Sequence, residues 1–397
     1  MKLSIDEVGA GRLVLLLGAL VAFGPLAIDL YLPALPAIAE GLAATPEAVQ
    51  LSITVFLAGF GIGMLFYGPI SDRYGRRGVM LSGIALFALA SLSCLLANGV
   101  GQLIAARFVQ SLGGGAASVL ARTVVRDVYA PDEAIRKLSL MAMVTAIAPL
   151  VAPLLGSVLL LCFGWRGTFA AVLLWGMVSL VVVWRYLPET LPVERRGRLP
   201  LGAAFAAYFH LLLDSYAIGL LLAGGLSFAA MFAYITASPF YFIELRHFSP
   251  TAYGTLFAVN ALGIFVANYL NSRLVRRTGA VAMAGIGSAS GFAGALLLFL
   301  GCGIGDALPA TVGGLFVVVA MTGLLGANCV GLLMARYPQN AGAAAALFGS
   351  CQFGFGMWAS AAVSYYHDGS GRPMAWVILI ASAGALAGYL LFWRTAR

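Results

Sequence analysis

Runs of apolar residues long enough to cross a bilayer follow one another along nearly the whole chain. A transmembrane α-helix needs about 20 such residues. Hydrophobic residues make up 61% of the sequence and charged residues 10%, and a water-soluble protein could not cover so much apolar surface. The sequence therefore predicts an all-α polytopic membrane protein with twelve transmembrane helices in the lipid bilayer. The predicted spans are residues 13–37, 48–70, 79–97, 101–125, 135–161, 168–187, 214–243, 250–272, 280–301, 307–334, 341–364 and 374–393.

Lysine and arginine residues concentrate at one end of these spans. With the amino terminus inside, 19 of the 23 lie in cytoplasmic loops or at cytoplasmic span ends, and Arg107 alone lies within a span. An excess of positive charge on one side predicts the orientation of a membrane protein. We therefore expect both termini in the cytoplasm and an even number of spans. The role of these residues in orienting the protein in the membrane then explains the net charge of +8. We therefore expect no nucleic-acid partner.

Residue types that bind metals or catalyse reactions form no recognisable pattern. The five cysteines are scattered through apolar runs, and the three histidines lie far apart near span ends. Neither set has the spacing of a metal site or a redox pair. The glycines at 113–115 lack the lysine and the hydroxyl residue of a phosphate-binding loop. We expect no metal and no cofactor, and a membrane enzyme is a remote alternative.

A polar segment divides the spans into two sets of six. Residues 188–212 are rich in proline, glycine and charge, which is typical of a linker. The predicted organisation is a first bundle at 1–187, a cytoplasmic linker at 188–212 and a second bundle at 213–397. Two similar six-helix halves are typical of many secondary transporters, whose substrate site lies between the halves near mid-membrane.

An internal repeat supports the two-fold organisation. Arg73, Arg76 and Arg77 follow span two, and three arginines recur 200 residues later after span eight. The repeat is imperfect, because serine and valine occupy the positions 272 and 275 that correspond to Asp72 and Gly75. We therefore expect the aspartate and the tight glycine turn in the first half only.

Several motifs resemble signatures of the major facilitator superfamily. Residues 68–77 resemble its cytoplasmic loop signature, and residues 107–113 resemble its fourth-helix motif. Residues 148–156 are similar to the antiporter motif of the fifth helix, through Pro149, Pro153 and Gly156. Residues 28–36 and 124–129 are similar to the Bcr/CflA group of drug:proton antiporters.

This resemblance implies the major facilitator fold, with twelve helices in two pseudo-symmetric six-helix bundles. It implies a monomeric, proton-coupled multidrug efflux transporter that exports small, mostly apolar drugs by alternating access across a bacterial inner (plasma) membrane. The alternative is a carrier for uptake or export of a specific metabolite. The spans of the second half carry almost no charge, which argues against sugars, phosphates and organic anions as substrates.

Two charged residues inside the first-half spans are candidates for proton coupling. Asp29 lies in the outer half of span one among apolar residues, where a carboxyl should face the bundle interior and favour its neutral form. We expect Asp29 to carry the proton; the alternative is a carboxylate in a permanent ion pair. Arg107 needs a partner or water, and the two expected partners are the backbone of span one, through a hydrogen bond, and Asp29, whose charge it would modulate. The resemblance assigns Arg107 to proton coupling, and the alternative is a purely structural tie.

Charged residues at the cytoplasmic end of the first half predict a conformational gate. A carboxylate that pairs with an arginine in one conformer and not in another is a switch, and Asp72 is the expected one. For the arginines, the alternative is orientation in the membrane alone. The predicted gate residues are Gly68, Asp72, Arg73, Gly75, Arg76, Arg77, Arg126 and Asp127.

Aromatic and amide side chains within the spans suit a cavity for a flat, moderately polar organic molecule. Alternatively, the aromatic residues form interface belts and the amides only join helices. For Arg122, lining the inner mouth of the cavity and snorkelling to the headgroups both stay open. The predicted substrate-cavity residues are Tyr31, Gln110, Arg122, Met231, Tyr234, Asn260, Gln352 and Phe353.

Overall fold

Helices fill most of the computed structural model, which describes residues 10–197, 201–305 and 307–396. Within these ranges, nine helices are long and apolar enough to cross a membrane, and a bent pair makes a tenth. One of the nine contains spans five and six, and the helix of span eleven is long but less apolar. The predicted all-α membrane fold is confirmed. Outside the described residues lie three of the charges counted above, Lys2, Arg198 and Arg397.

Span one is broken, whereas the sequence predicts a continuous helix over residues 13–37. Its axis bends by 44° after Val21. Pro25 and Pro33 explain the irregularity, because proline lacks the N–H that a helix needs and its ring clashes with the carbonyl four residues earlier. The breaks place Asp29 at the end of a short helical segment. The segments are Ala10–Val21, Phe23–Asp29, the 3-10 turn Leu32–Ala34, and Leu35–Gly41.

The other spans of the first half have nearly the predicted bounds. A single long helix carries spans five and six, and Gly164 divides it because its backbone (φ 69°) leaves the helical region. Glycine adopts this left-handed conformation at low cost. The break falls in the gap that the sequence predicts between the two spans. The helices are Pro46–Tyr74, Arg76–Leu95, Val100–Val128 and Pro131–Tyr186.

The second half is also helical, and two spans end in π-helical turns. Phe240–Leu245 continues span seven and Phe299–Ile304 continues span nine. The helix Leu201–Leu211 lies within the predicted linker, so the linker is rich in helix breakers only in its first part. The helices of spans seven to twelve are Ser215–Pro239, Pro250–Thr278, Ala280–Leu298, Leu308–Arg336, Ala341–Tyr365 and Arg372–Thr395.

Contacts between residues divide the chain into two compact units. The first unit joins the chain up to Ala44 with Ala58–Ala204. The second joins Thr45–Leu57 with Phe205–Arg397. The division falls inside span two, so the beginning of this helix packs with the second unit and the remainder packs with the first.

Candidate functional site

Arg107 is the largest fully buried side chain of the first unit, and it connects span four to span one. Its Nη1 donates hydrogen bonds to the carbonyl oxygen of Ala27 at 2.9 Å and to Oε1 of Gln110 at 2.5 Å. Its guanidinium carbon lies 4.3 Å from the centre of the Tyr31 ring, which is a cation–π contact. Of the two expected partners of Arg107, the span-one backbone is the one observed.

Gln110 extends this network from span four to span three. It is fully buried, and its Nε2 donates to the Ser91 hydroxyl at 2.7 Å while its Oε1 accepts from Arg107. Ser91 in turn donates to the carbonyl oxygen of Phe87 at 2.7 Å. Both ends of the Gln110 amide are therefore bound by protein groups. Gln110 and Tyr31, predicted in the substrate cavity, here belong to the Arg107 network.

Asp29 lies two residues after the carbonyl that Arg107 binds. Its side chain is buried, at 4% exposure, and it ends the helical segment Phe23–Asp29. In the part of the chain that the structure describes, no ion pair or hydrogen bond involves its carboxyl. The permanent ion pair considered above is therefore not observed among these residues. Burying an ionised carboxylate without a partner costs free energy.

The antiporter motif packs against span one directly beside Asp29. Gly156 in span five is so close to span one that a Cβ at this position would overlap the carbonyl oxygen of Leu30. Pro153 is buried on the same helix, and Pro149 is half-buried one turn earlier. Small residues permit such close approach of helix backbones within a membrane. The predicted residues Asp29, Arg107 and Gly156 are thus brought together around the broken part of span one.

Replacing Gly156 by alanine is expected to destabilise the first unit, because spans one and five must separate to accept the methyl group. The cost of such overpacking is about 1–3 kcal/mol. Gly78→Ala is the matched control, since no atom lies within 4 Å of a Cβ there and alanine is the better helix former. Thermal unfolding of the purified variants checks this: equal unfolding temperatures for the two would contradict the packing.

Arg76 is the buried centre of a polar cluster at the end of span two. Its Nη2 lies 2.6 Å from Oδ1 of Asp72, and its Nε lies 2.9 Å from Oδ2 of Asp127. Its Nη1 donates to the Ser71 hydroxyl at 2.5 Å. The arginine is 6% exposed. It thereby joins the end of span two, the start of span three and the end of span four.

Glu189, from the predicted linker, completes the cluster and was missed by the sequence predictions. Its Oε1 accepts a hydrogen bond of 2.9 Å from the backbone N–H of Arg76, at the first residue of span three. Its Oε2 lies 3.4 Å from Nη2 of Arg196. The turn at Gly75 has φ 95°, and a Cβ there would lie 2.5 Å from the Glu189 carboxylate. An acidic residue close in sequence to the linker arginines was the available signal.

The remaining predicted gate residues lie outside this cluster's centre. Arg73 is exposed, 5.6 Å from the ring of its neighbour Tyr74. Arg77 donates to the carbonyl oxygen of Trp184 at the end of span six at 2.6 Å. Arg126 is exposed, and a Cβ added at Gly68 would have no atom within 4 Å. Arg73, Arg76 and Arg77 are therefore not equivalent. A role in orienting the protein in the membrane does not by itself explain the buried contacts of Arg76.

The corresponding region of the second unit has a different arrangement. Arg276, the counterpart of Arg76, is exposed. Asn328 in span ten donates a 2.8 Å hydrogen bond to Asn271 at the end of span eight, with no charge involved. The prediction that only the first half has a tight glycine turn is wrong. Gly279, with φ 82°, begins span nine four positions after Val275, so the turn has shifted by about one helical turn.

The second-half residues predicted to line the cavity fall into two groups. Tyr234 and Asn260 are buried and bind one another, with Asn260 Nδ2 donating to the Tyr234 hydroxyl at 2.9 Å. Met231, Gln352 and Phe353 are half-buried. The half-buried ones suit contact with a solute, whereas the buried pair joins spans seven and eight.

Aromatic rings accompany the half-buried group. The Phe353 ring centre lies 5.3 Å from that of Phe228 and 6.3 Å from that of Phe232. The cluster therefore combines spans seven and eleven in one apolar surface.

In the first unit, Arg122 is half-buried within span four.

Comparison with known proteins agrees with this architecture. A family model described as the Major Facilitator Superfamily matches residues 15–361. The Uncharacterized MFS-type transporter YdgK of Bacillus subtilis is 34% identical over 387 residues, covering 96% of each chain. The Bicyclomycin resistance protein homolog of Haemophilus influenzae is 32% identical over 364 residues, covering 91% of each chain. A crystal structure of a D-xylose-proton symporter matches over 96% of each chain, with a TM-score of 0.73 at 17% identity.

The family match covers most of the chain, and two relatives match along nearly their whole length. The structural match has low identity and therefore shows the fold alone. Together with the helical spans, these matches confirm the predicted fold and the resemblance to transporters. We conclude that the chain belongs to the major facilitator superfamily of membrane transporters.

Proposed function

We propose that this protein exports small, mostly apolar drugs across a bacterial inner membrane in exchange for protons. The observation that carries the proposal is the buried carboxyl of Asp29, which has no partner among the described residues, beside the Arg107 network. The resistance protein homolog among the relatives supports drugs as the substrate class. The half-buried aromatic surface around Phe353 suits an apolar solute.

The broken part of span one would couple the proton to movement. Asp29 lies on a short segment whose backbone is held by Arg107 at Ala27 and contacted by Gly156 at Leu30. Both contacts involve backbone carbonyls rather than the Asp29 carboxyl, so protonation would change the charge of this segment. A proton taken up from outside would be released inward as Asp29 takes substrate, or the two would exchange in sequence. Spans one, four and five would respond together, because each contacts the segment.

Asp29→Asn is expected to abolish efflux driven by a pH gradient, because asparagine imitates the protonated carboxyl and cannot release a proton. The measurement is the uptake of a fluorescent apolar dye into inverted vesicles after the interior is acidified. A loss of roughly tenfold or more, which corresponds to about 1.4 kcal/mol, is expected. The variant should still unfold at the temperature of the parent, since Asp29 forms no described hydrogen bond.

Glu40→Gln is the matched control, because Glu40 is an exposed carboxylate near the end of the same span. It should leave efflux unchanged. Full pH-gradient-driven efflux by Asp29→Asn would show that the proton is carried elsewhere.

A panel of growth-inhibition tests in an efflux-deficient host then separates drug export from transport of a metabolite. Unchanged drug susceptibility together with flux of a metabolite would favour the second function.

We also propose that the protein acts as a monomer with both termini in the cytoplasm. The support for the orientation is the excess of lysine and arginine at one end of the spans. Arg76 and Glu189 would then lie at the cytoplasmic face, where their cluster would be part of the gate. Proteolysis of tags at either terminus in inverted but not in right-side-out vesicles tests this orientation.

A further inference from the structure

The beginning of span two carries polar residues that the proposed function does not use. Thr45–Leu57 packs with the second unit, although the rest of the helix packs with the first. Glu47, Gln50 and Thr54 follow one another at spacings of three and four residues, so they share one face of the helix. This face lies at the span end for which the charge distribution predicts the outer side of the membrane.

Two polar contacts attach this face to span eleven and to the residues just after it, and a third joins span eleven to span seven. Oε1 of Glu47 lies 2.9 Å from Nδ1 of His367, just after span eleven. Two turns further along span two, the Thr54 and Ser360 hydroxyls lie 2.8 Å apart. Thr236 of span seven donates to the same Ser360 hydroxyl at 2.9 Å. We call these five residues the outer latch.

Gln50 lies between the two contacts on the same face of span two. Its buried amide disfavours the arrangement that these contacts stabilise. Its side chain is fully buried, and neither its amide nitrogen nor its amide oxygen has a hydrogen-bond partner among the described residues. A buried amide without partners favours the state in which it regains water. The latch is therefore a balance between polar contacts and an unsatisfied amide, as expected of a contact that has to open.

His367 is surrounded by charged residues of both signs. Besides Glu47, Glu244 at the π-helical end of span seven faces it across a cavity of about 220 Å³. Arg246 is bound to the Tyr241 hydroxyl, with nitrogen–oxygen distances of 2.9 and 3.1 Å. Among the described residues close to it in sequence are Asp368, which accepts hydrogen bonds from Ser370, and Arg372, which begins span twelve.

We infer that Glu47 and His367 form a proton-sensitive latch, which closes when the outer side is acidified. Histidine is the side chain whose charge normally changes between about pH 5 and pH 8. The imidazolium pairs with the Glu47 carboxylate, whereas a neutral ring offers a hydrogen bond at most. A proton that arrives from outside would thus fasten span two to spans seven and eleven. The inference rests on the proposed exchange of drug for protons, in which the outer side closes after a proton has arrived.

The test measures how accessible span two is from outside. Ile53 is fully buried in the stretch that packs with the second unit. Ile53→Cys is introduced after the native cysteines have been replaced, and right-side-out vesicles are treated with a membrane-impermeant thiol reagent at about pH 5.5 and pH 8. Asn98→Cys, in an exposed loop, corrects for the effect of pH on the thiol itself. Val49→Cys, also fully buried, is the second reporter if Ile53→Cys does not fold.

The corrected labelling rate should be several-fold lower at the acidic pH. Glu47→Gln and His367→Asn should each remove this pH dependence, and Gln50→Met should slow labelling at both pH values. Glu40→Gln should keep the parental behaviour. A corrected rate that is the same at both pH values, or a pH dependence that survives Glu47→Gln, would overturn the latch.

The same reporter separates this inference from the proposed function. Asp29→Asn should stop export and leave the pH dependence of labelling intact, because Asp29 is not part of the latch. Proton-driven export without pH-dependent labelling would mean that the latch is wrong and the function stands. Labelling that depends on pH through Glu47, in a protein that exports no drug, would leave the latch and reject the function.

Discussion

Arg107→Ala is expected to lower the free energy of unfolding by about 3–5 kcal/mol and to abolish proton-driven export. The substitution removes both hydrogen bonds of Nη1, so the Ala27 carbonyl and the Gln110 amide lose a buried donor. It also removes the cation that packs on the Tyr31 ring and leaves a cavity in its place. Thermal unfolding of the purified protein and dye transport in vesicles measure the two effects.

Arg107→Lys separates charge from geometry. Lysine keeps the positive charge, but it cannot reproduce the planar guanidinium that stacks on Tyr31 while binding two acceptors. We therefore expect partial recovery of stability and little recovery of transport.

Arg166→Ala is the matched control, because Arg166 also donates to a backbone carbonyl and lies over an aromatic ring. It is exposed, so water replaces its contacts and the loss should be about 1 kcal/mol or less. If the two alanine variants lost the same stability, the buried network would not have the strength inferred here.

Arg76→Ala is expected to destabilise the protein by about 1–3 kcal/mol and to impair transport. It leaves the carboxylates of Asp72 and Asp127 without their common partner and the Ser71 hydroxyl without its donor. The figure lies below that of a fully buried pair, because the Asp72 side chain is 45% exposed and exchanges its partner for water.

The internal repeat provides the control for Arg76. Arg276→Ala removes the same side chain at the equivalent position of the other half, where the arginine is exposed. Its effect on stability should be within about 0.5 kcal/mol. Arg76→Ala combined with Asp127→Asn should lose less than the sum of the single variants, because both remove one contact. Equal effects of Arg76→Ala and Arg276→Ala would mean that both arginines serve orientation alone.

The three loop arginines show where prediction from sequence ends. Arg73, Arg76 and Arg77 are alike in type and position, and orientation in the membrane could explain all of them. Burial distinguishes Arg76, through Asp127, which is 51 residues away, and Glu189, which is 113 residues away from its backbone N–H. A repeat compares equivalent positions in the chain and carries no information about such distant partners.

The sequence predicted Asp29 and Arg107 as a pair of interest, but it left their arrangement open. A charge in an apolar span is visible without a structure, because it is rare and costly there. Whether the two charges pair depends on the tertiary structure around the broken span one, where Arg107 binds the carbonyl oxygen of Ala27. Proline at 25 and 33 indicated a distortion, but its direction follows from packing against spans four and five.

The sequence by itself determined the membrane class and the twelve spans, and it predicts that most of the positive charges lie on the cytoplasmic side. These follow from local rules, since a bilayer demands about 20 apolar residues for each crossing and positive loops stay inside. The tertiary structure decided which polar groups meet: Arg107 with Ala27, Arg76 with Glu189, and Glu47 with His367. The physical reason is that the bilayer acts on each span separately, whereas a buried polar group must find partners wherever helix packing brings them.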